Sequence, residues 1–152
     1  MPLDETDRRI LRAWQAHPDA KVAEIADLVG LSHTPCWRRM RKLEEAGVVR
    51  GKALLLDAKR LDLGVSVFAR LRLRQHDEET LDAFEAATRE RPEIVECFSM
   101  SGESDFLIRV VVKNVDDYEV FLKKTLLHLP GVASVDSSFA LKCVKMTAEL
   151  PL

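Results

Sequence analysis

The first sixty residues carry apolar positions at helical spacing. Ile10, Leu11 and Trp14 share one face behind Asp4, a residue suited to cap a helix, and Pro18 blocks continuation past "AHPD". A second, short helix is predicted over "VAEIADLV", with Val22, Ile25, Ala26 and Val29 on one side and Gly30 as its left-handed stop. A third follows Leu31, capped by Ser32 or Thr34, and runs to about Ala46 before Gly47 ends it. Pro35 is tolerated there, because the N–H groups of a first turn have no intrahelical partner. "VVRGKALLLD" is aliphatic and β-branched around a glycine, which predicts a hairpin or wing.

From residue 65 the period changes. "VSVFARLRLR" alternates strictly, with Val65, Val67, Ala69, Leu71 and Leu73 on one face, as in a half-buried strand. "DEETLDAFEAATRER" returns to helical spacing through Leu81 and Phe84, and Pro92 breaks it. "IVECFSM" and "DFLIRVVV" read as two strands joined by the tight connection "SGES". A helix capped by Asp116 carries Tyr118, Phe121, Leu122 and Leu126 to a stop at Pro130–Gly131, and a last strand lies in "VASVDSSFALKCV". The order β-α-β-β-α-β is that of a ferredoxin-like sheet with both helices on one face. The chain is therefore expected to be α+β. A winged helix-turn-helix over 1–56 and a linker over 57–64 lead to a ferredoxin-like domain over 65–152. Strand "DFLIRVVV" is apolar on both sides, so the face without helices calls for a second copy of the chain.

Charge sharpens this division. The formal net charge is −2, yet residues 1–60 hold 12 Lys+Arg against 9 Asp+Glu, and the remainder holds 11 against 16. A basic front portion followed by an acidic remainder points towards a polyanion bound by the front. No apolar run is long enough to cross a membrane, and the charged N-terminus is neither signal nor transit peptide, so a cytoplasmic protein is expected. Cys36, Cys97 and Cys143 are scattered and suit a reducing compartment.

The cations concentrate in "SHTPCWRRMRKLEEAG". On a helical wheel Cys36, Met40 and Leu43 form the core stripe, while Thr34, Trp37, Arg38, Arg41 and Lys42 lie opposite and Arg39 sits on the flank. A short helix, a turn and a cationic second helix make a helix-turn-helix, in which arginine reads guanine edges and lysine neutralises phosphates. The predicted DNA contacts are Ser32, Thr34, Trp37, Arg38, Arg39, Arg41 and Lys42, with Arg50 and Lys52 from the wing. Trp37 fits either contact with sugar and thymine methyl or packing on the helix flank. His33 and Cys36 have no second ligand pair, so no metal is expected, and no spacing assembles a catalytic set, so no enzyme is expected. In "MSGESDF" a glycine-centred turn offers N–H groups to a carboxylate and Asp105 to an ammonium, which would suit an amino acid; an ordinary hairpin turn explains the same residues.

Taken together, "LDETDRRIL", "VAEIADLVGLSHTPCWRRMRKLEEAGVV", "SGESDFLIRVVV" and "SSFALKCVKMTAELPL" resemble the Lrp/AsnC (leucine-responsive/asparagine-responsive, or feast/famine) transcriptional regulators along essentially the whole chain. The resemblance implies a winged helix-turn-helix joined to an amino-acid-sensing domain, dimers through that domain, and often octamers. It also implies small effectors, usually amino acids, held between dimers near the turn after the second sensor strand. Carried over by position, the effector residues are Met100, Ser101, Gly102, Ser104, Asp105 and Phe106, with Ser134 and Asp136 from the last strand. Members of the family often have Gly-Asp-Tyr-Asp where this chain has Gly102-Glu103-Ser104-Asp105. No cofactor beyond such an effector is implied. Two other classes compete: an RNA binder using Phe98 and Phe106 on the sheet, and a regulatory subunit of an amino-acid enzyme.

Overall fold

The computed structural model describes residues 2–152. The chain divides into two compact units, one of residues up to Leu55 together with Lys145–Leu152, the other Leu56–Val144.

The first unit is built on three helices. Helix α1 (Glu5–Ala16) is capped by Asp4, whose carboxylate accepts the Asp7 N–H, while the Asp7 side chain accepts the Asp4 N–H in return. Helix α2 (Val22–Val29) ends where Gly30 turns left-handed, and the Leu31 N–H closes back on the Ala26 carbonyl at 2.9 Å. Helix α3 (His33–Glu45) follows at once. Ile10, Leu11, Trp14, Ile25, Ala26, Val29, Cys36, Met40 and Leu43 form one continuous core. Burial pushes the Cys36 thiol up from its ordinary value, so this cysteine acts as an apolar core group.

The structure departs from expectation at both ends of this unit. No hairpin forms over residues 48–57, and no strand occurs in the first unit among the described residues. An aliphatic run becomes a strand only beside another strand, and this one has no neighbour in the chain: Leu54 is 84% and Leu55 75% exposed. The tail, expected to belong with the sheet, groups with the helices instead. The Gln15 side-chain amide donates to the Leu150 carbonyl at 2.8 Å and accepts the Leu150 N–H at 3.0 Å, as a neighbouring backbone would. This pairing flanks a groove of about 350 Å³ lined by Leu3, Leu11, Trp14 and Val49. The expected linker contains a 3-10 turn, Ala58–Leu61, capped by Asp57.

The second unit is a four-stranded sheet. Strands β1 (Val65–Leu73), β2 (Ile94–Ser99), β3 (Phe106–Val112) and β4 (Val132–Phe139) lie in the order β2-β3-β1-β4, all neighbours antiparallel. Helices α4 (Glu78–Arg89) and α5 (Val115–Lys124) supply Phe84, Tyr118 and Phe121 to the face formed by Val67, Ala69, Leu71, Ile108 and Val110. Asn114, rather than Asp116, caps α5 through its side-chain oxygen and the Asp117 N–H. The other face carries Phe68, Arg70 and Arg72 of β1, Leu107, Arg109 and Val111 of β3, and Phe98 of β2. It is mixed rather than apolar, since Arg109 pairs with Glu96 at 2.9 Å and Arg70 with Asp136 at 3.6 Å.

At the turn into β4 a glycine is required. Gly131 has φ +73°, and a Cβ there would lie 2.4 Å from Thr80 Cγ2. Thr80 cannot swing away freely, because its N–H and hydroxyl both bond to Asp77 at 2.9 Å. Gly131→Ala is expected to lower unfolding stability by about 1–3 kcal/mol, read as a reduced urea midpoint; an unchanged midpoint would show that this corner relaxes.

Candidate nucleic-acid interface and effector corner

Helix α3 buries one stripe and presents the other. Cys36, Met40 and Leu43 are buried, whereas Thr34, Trp37, Arg38, Arg41 and Lys42 are exposed. Arg38 and Lys42 form no ion pair or side-chain hydrogen bond among the described residues, so both are available to an incoming anion. Ser32 occupies the N-cap position, but its side chain makes no capping bond, which leaves its hydroxyl and the first-turn N–H groups open.

Trp37, half in and half out, is 44% exposed, with the Arg41 guanidinium 5.6 Å from its ring centre. Arg41 also donates to Glu45 at 3.0 Å. The indole therefore holds the arginine on the outward face, a cation-π contact that orders a side chain otherwise free to sweep solvent. Lys52 is drawn over the ring of buried Trp14, 5.7 Å from its centre, and Arg50 stands exposed beside it.

Arg39 is placed differently from its neighbours. Its guanidinium donates to Asp4 at 2.6 Å and to Asp7 at 2.7 Å, so it reaches towards α1 while its side chain stays half-buried. The wheel had put it on the flank of the DNA-facing cluster. What sequence spacing could not supply was the acidic pair thirty-odd residues earlier, which claims the charge.

The second group of predicted residues gathers at one corner of the sheet. Residues 100–105 connect β2 to β3, with the Met100 N–H donating to the Asp105 carbonyl at 2.8 Å and Gly102 at φ +116°. The register pairs Phe106 with Leu71 and Ser134 with Arg72, so the turn and the start of β4 flank the same end of β1. Ser101, Gly102 and Ser134 are exposed at this corner. Asp136 lies further along β4, paired with Arg70.

Two of these residues are engaged within the fold itself. Phe106 is 3% exposed, its ring 4.3 Å from that of Phe84, because alternation turns it to the helix-covered face with Ile108 and Val110. Its ring belongs to the core of the sheet, and its burial also removes one of the two aromatics that an RNA-binding sheet would need. Asp105 has both carboxylate oxygens engaged. Oδ2 accepts the Leu73 N–H at 2.7 Å and Oδ1 meets His76 Nε2 at 2.8 Å. The Leu73 N–H, then the His76 contact, hold its carboxyl below the ordinary aspartate value. An ammonium group would have to compete with these partners. His76 and Arg72, the latter 3.9 Å from Glu103, were not foreseen as corner residues. Alternation did place Arg72 on the open face, while nothing near His76 in the sequence announced its partner.

Comparisons with known proteins also find two domains, the second of which extends into the tail. The AsnC-type helix-turn-helix domain matches residues 3–44, and the Lrp/AsnC ligand binding domain matches residues 66–150. The Bkd operon transcriptional regulator of Pseudomonas aeruginosa is 40% identical over 99% of this chain and 98% of its own. The DNA-binding transcriptional activator DecR of Escherichia coli is 35% identical over 99% of both. A transcriptional regulator of Neisseria meningitidis, solved as a complex with L-Met, superposes with a TM-score of 0.92 at 37% identity, covering 99% of this chain and 97% of that one. No helix among the described residues is long and apolar enough to cross a membrane. A helix-turn-helix with an outward cationic helix, followed by a four-stranded sheet whose glycine turn sits at one corner, places this chain in the Lrp/AsnC family of transcriptional regulators.

Proposed function

We propose that the chain is a sequence-specific DNA-binding regulator of transcription, acting in the cytoplasm, whose activity responds to an amino acid held at the sheet corner. The observation that carries the DNA half is the outward face of α3: Thr34, Arg38, Arg41 and Lys42 exposed on a helix whose opposite stripe is core. Arg38 and Arg41 are of the right type to read bases, Lys42, Arg50 and Lys52 to neutralise phosphates, and Ser32 to donate to the backbone. Trp37 supports this surface by ordering Arg41.

The effector half rests on the corner of residues 100–105 with Ser134. Its turn N–H groups and Arg72 suit a carboxylate, and Glu103 or Ser104 a nearby ammonium, since Asp105 is engaged by Leu73 and His76. The L-Met bound by the Neisseria regulator makes α-amino acids the class to test first. Exposed Phe68, Phe98 and Leu54–Leu56 favour a homodimer, with an octamer as the larger assembly.

The test is filter binding to the DNA upstream of the protein's own reading frame across a salt series. Binding should exceed that to random duplex and weaken linearly in log–log form with salt. Arg38→Ala should cost about 1–3 kcal/mol of specific binding and spare the fold. A flat salt dependence, or no preference over random duplex, would sink the proposal. For the effector, thermal shifts against the twenty amino acids should single out one or a few, a ligand at about 100 Kd adding about 2.7 kcal/mol. No shift with any of them would leave a regulator without an amino-acid effector.

A further inference from the structure

Asp7 is the one charged residue buried among the described residues, at 7% exposed. Burying a carboxylate is costly unless it is paired, and the capping bond from the Asp4 N–H serves only Oδ2 of Asp7, leaving Oδ1 to find another partner. Its partner is Arg39, from the middle of the helix that presents the DNA-facing side chains. One guanidinium nitrogen of Arg39 reaches Asp7 at 2.7 Å and Asp4 at 2.6 Å. Asp4 and Asp7 are themselves locked to each other through the capping box. The three side chains thus join the first turn of α1 to the centre of α3, beside the buried contacts of Cys36, Met40 and Leu43. The apolar contacts of Cys36, Met40 and Leu43 fix the depth of α3 but carry no directional bond that specifies its rotation. An ion pair with fixed donors and acceptors supplies one.

We propose that Asp7 and Arg39, with Asp4, form a latch that sets the rotation of α3 about its own axis, and that Arg39 is a positioning residue for DNA reading rather than a DNA contact. Arg38 lies on one side of it in the sequence and Arg41 two residues beyond on the other. A small roll of α3 displaces both from base edges together. The proposal rests on the DNA-binding reading above, and its consequence is opposite in sign to simple electrostatics. Neutralising Asp7 removes a negative charge from a DNA-binding unit, which on charge alone should strengthen its hold on DNA. Through the latch it should weaken selective binding instead.

The experiment measures Kd for a duplex enriched from a random pool by the wild-type protein, and for random duplex. It is done at a temperature where circular dichroism shows every variant folded. Asp7→Asn and Arg39→Gln should each weaken the enriched duplex about tenfold, and the double variant should lose no more than the larger single, since the Asp7–Arg39 pair is already gone in Arg39→Gln. Random duplex should bind Asp7→Asn as well as wild type or better. The slope of log K against log salt should be unchanged in Arg39→Gln, whereas a lost phosphate contact lowers it by about 1. Arg39→Lys keeps the charge, but its shorter side chain ends before the position of the one guanidinium nitrogen that reaches both Asp4 and Asp7, so it too should lose selectivity. Several results would overturn the latch: Asp7→Asn binding the enriched duplex as tightly as wild type or more so, additive losses in the double variant, or wild-type selectivity in Arg39→Lys. A melting temperature lowered with selectivity intact would assign the triad to stability alone. If the wild-type protein enriches no duplex, it is the DNA-binding reading that fails.

Discussion

Phe106→Ala is expected to destabilise the sheet unit by about 3–5 kcal/mol, the usual cost of truncating a buried phenylalanine. The ring lies at the end of β3 against Phe84 of α4, at 4.3 Å between centres and tilted by 35°. Removing it costs the transfer energy of the ring and leaves a void that Phe84, itself fully buried, cannot fill without leaving its own contacts. Urea unfolding followed by far-ultraviolet circular dichroism measures this directly. The prediction also separates two roles for a residue next to the proposed effector corner. As a core residue, Phe106 affects stability first and effector binding only through it. A variant that kept wild-type stability while losing amino-acid binding would return Phe106 to the effector site.

The second large effect belongs to Asp105. Asp105→Asn is expected to cost about 1.5–3 kcal/mol at neutral pH, the range for hydrogen bonds made by a charged group. The neutral amide keeps one oxygen to accept the Leu73 N–H at the end of β1, but it loses the charge on that bond and the second acceptor oxygen that meets His76. The effect has a defined pH dependence. The folded carboxyl titrates below the ordinary aspartate value of 3.8, so the carboxylate stabilises the fold fully above that value. The contribution is lost as pH falls through the lower, folded value. Wild type and variant should therefore differ by a constant amount at neutral pH and converge on acidification below about pH 4. A gap that persisted unchanged into strong acid would mean that the charge of Asp105 is irrelevant to its role.

Much of this architecture was legible before any coordinates. The helices of the first unit fall within a residue of their expected bounds, because strong apolar periodicity, Asp4 and Gly30 all act locally. The alternation of β1 was equally plain, and it fixed which side of the sheet Arg70 and Arg72 occupy. Failures came where a residue's partner lay far off in the chain or was missing. "VVRGKALLLD" has the composition of a strand, but composition cannot supply the neighbour that a strand needs. Arg39 looks like its fellow cations until Asp4 and Asp7 are brought beside it. Asp105 looked free to bind an ammonium until folding carried Leu73 and His76 to it. The tail carries no periodicity at all, and only the Gln15 amide shows where it belongs. For the site itself, the outward face of α3 was readable from spacing. The effector corner was readable only as a turn, since its floor is assembled by register across three strands.

One further consequence follows from how the aromatic residues divide between the two cores. Both tryptophans of the chain, Trp14 and Trp37, lie in the helical unit, and the single tyrosine, Tyr118, lies buried against the sheet. Indole emission therefore reports on the helical unit without interference from the sheet. Trp14 is buried and Trp37 half-exposed on α3 next to the Arg41 guanidinium, so one emitter follows the core and the other the outward surface. Unfolding of the helices should shift the colour of both, whereas a polyanion that pulls Arg41 from its ring should change the emission of Trp37 alone. The protein carries its own optical probes, already sorted by unit.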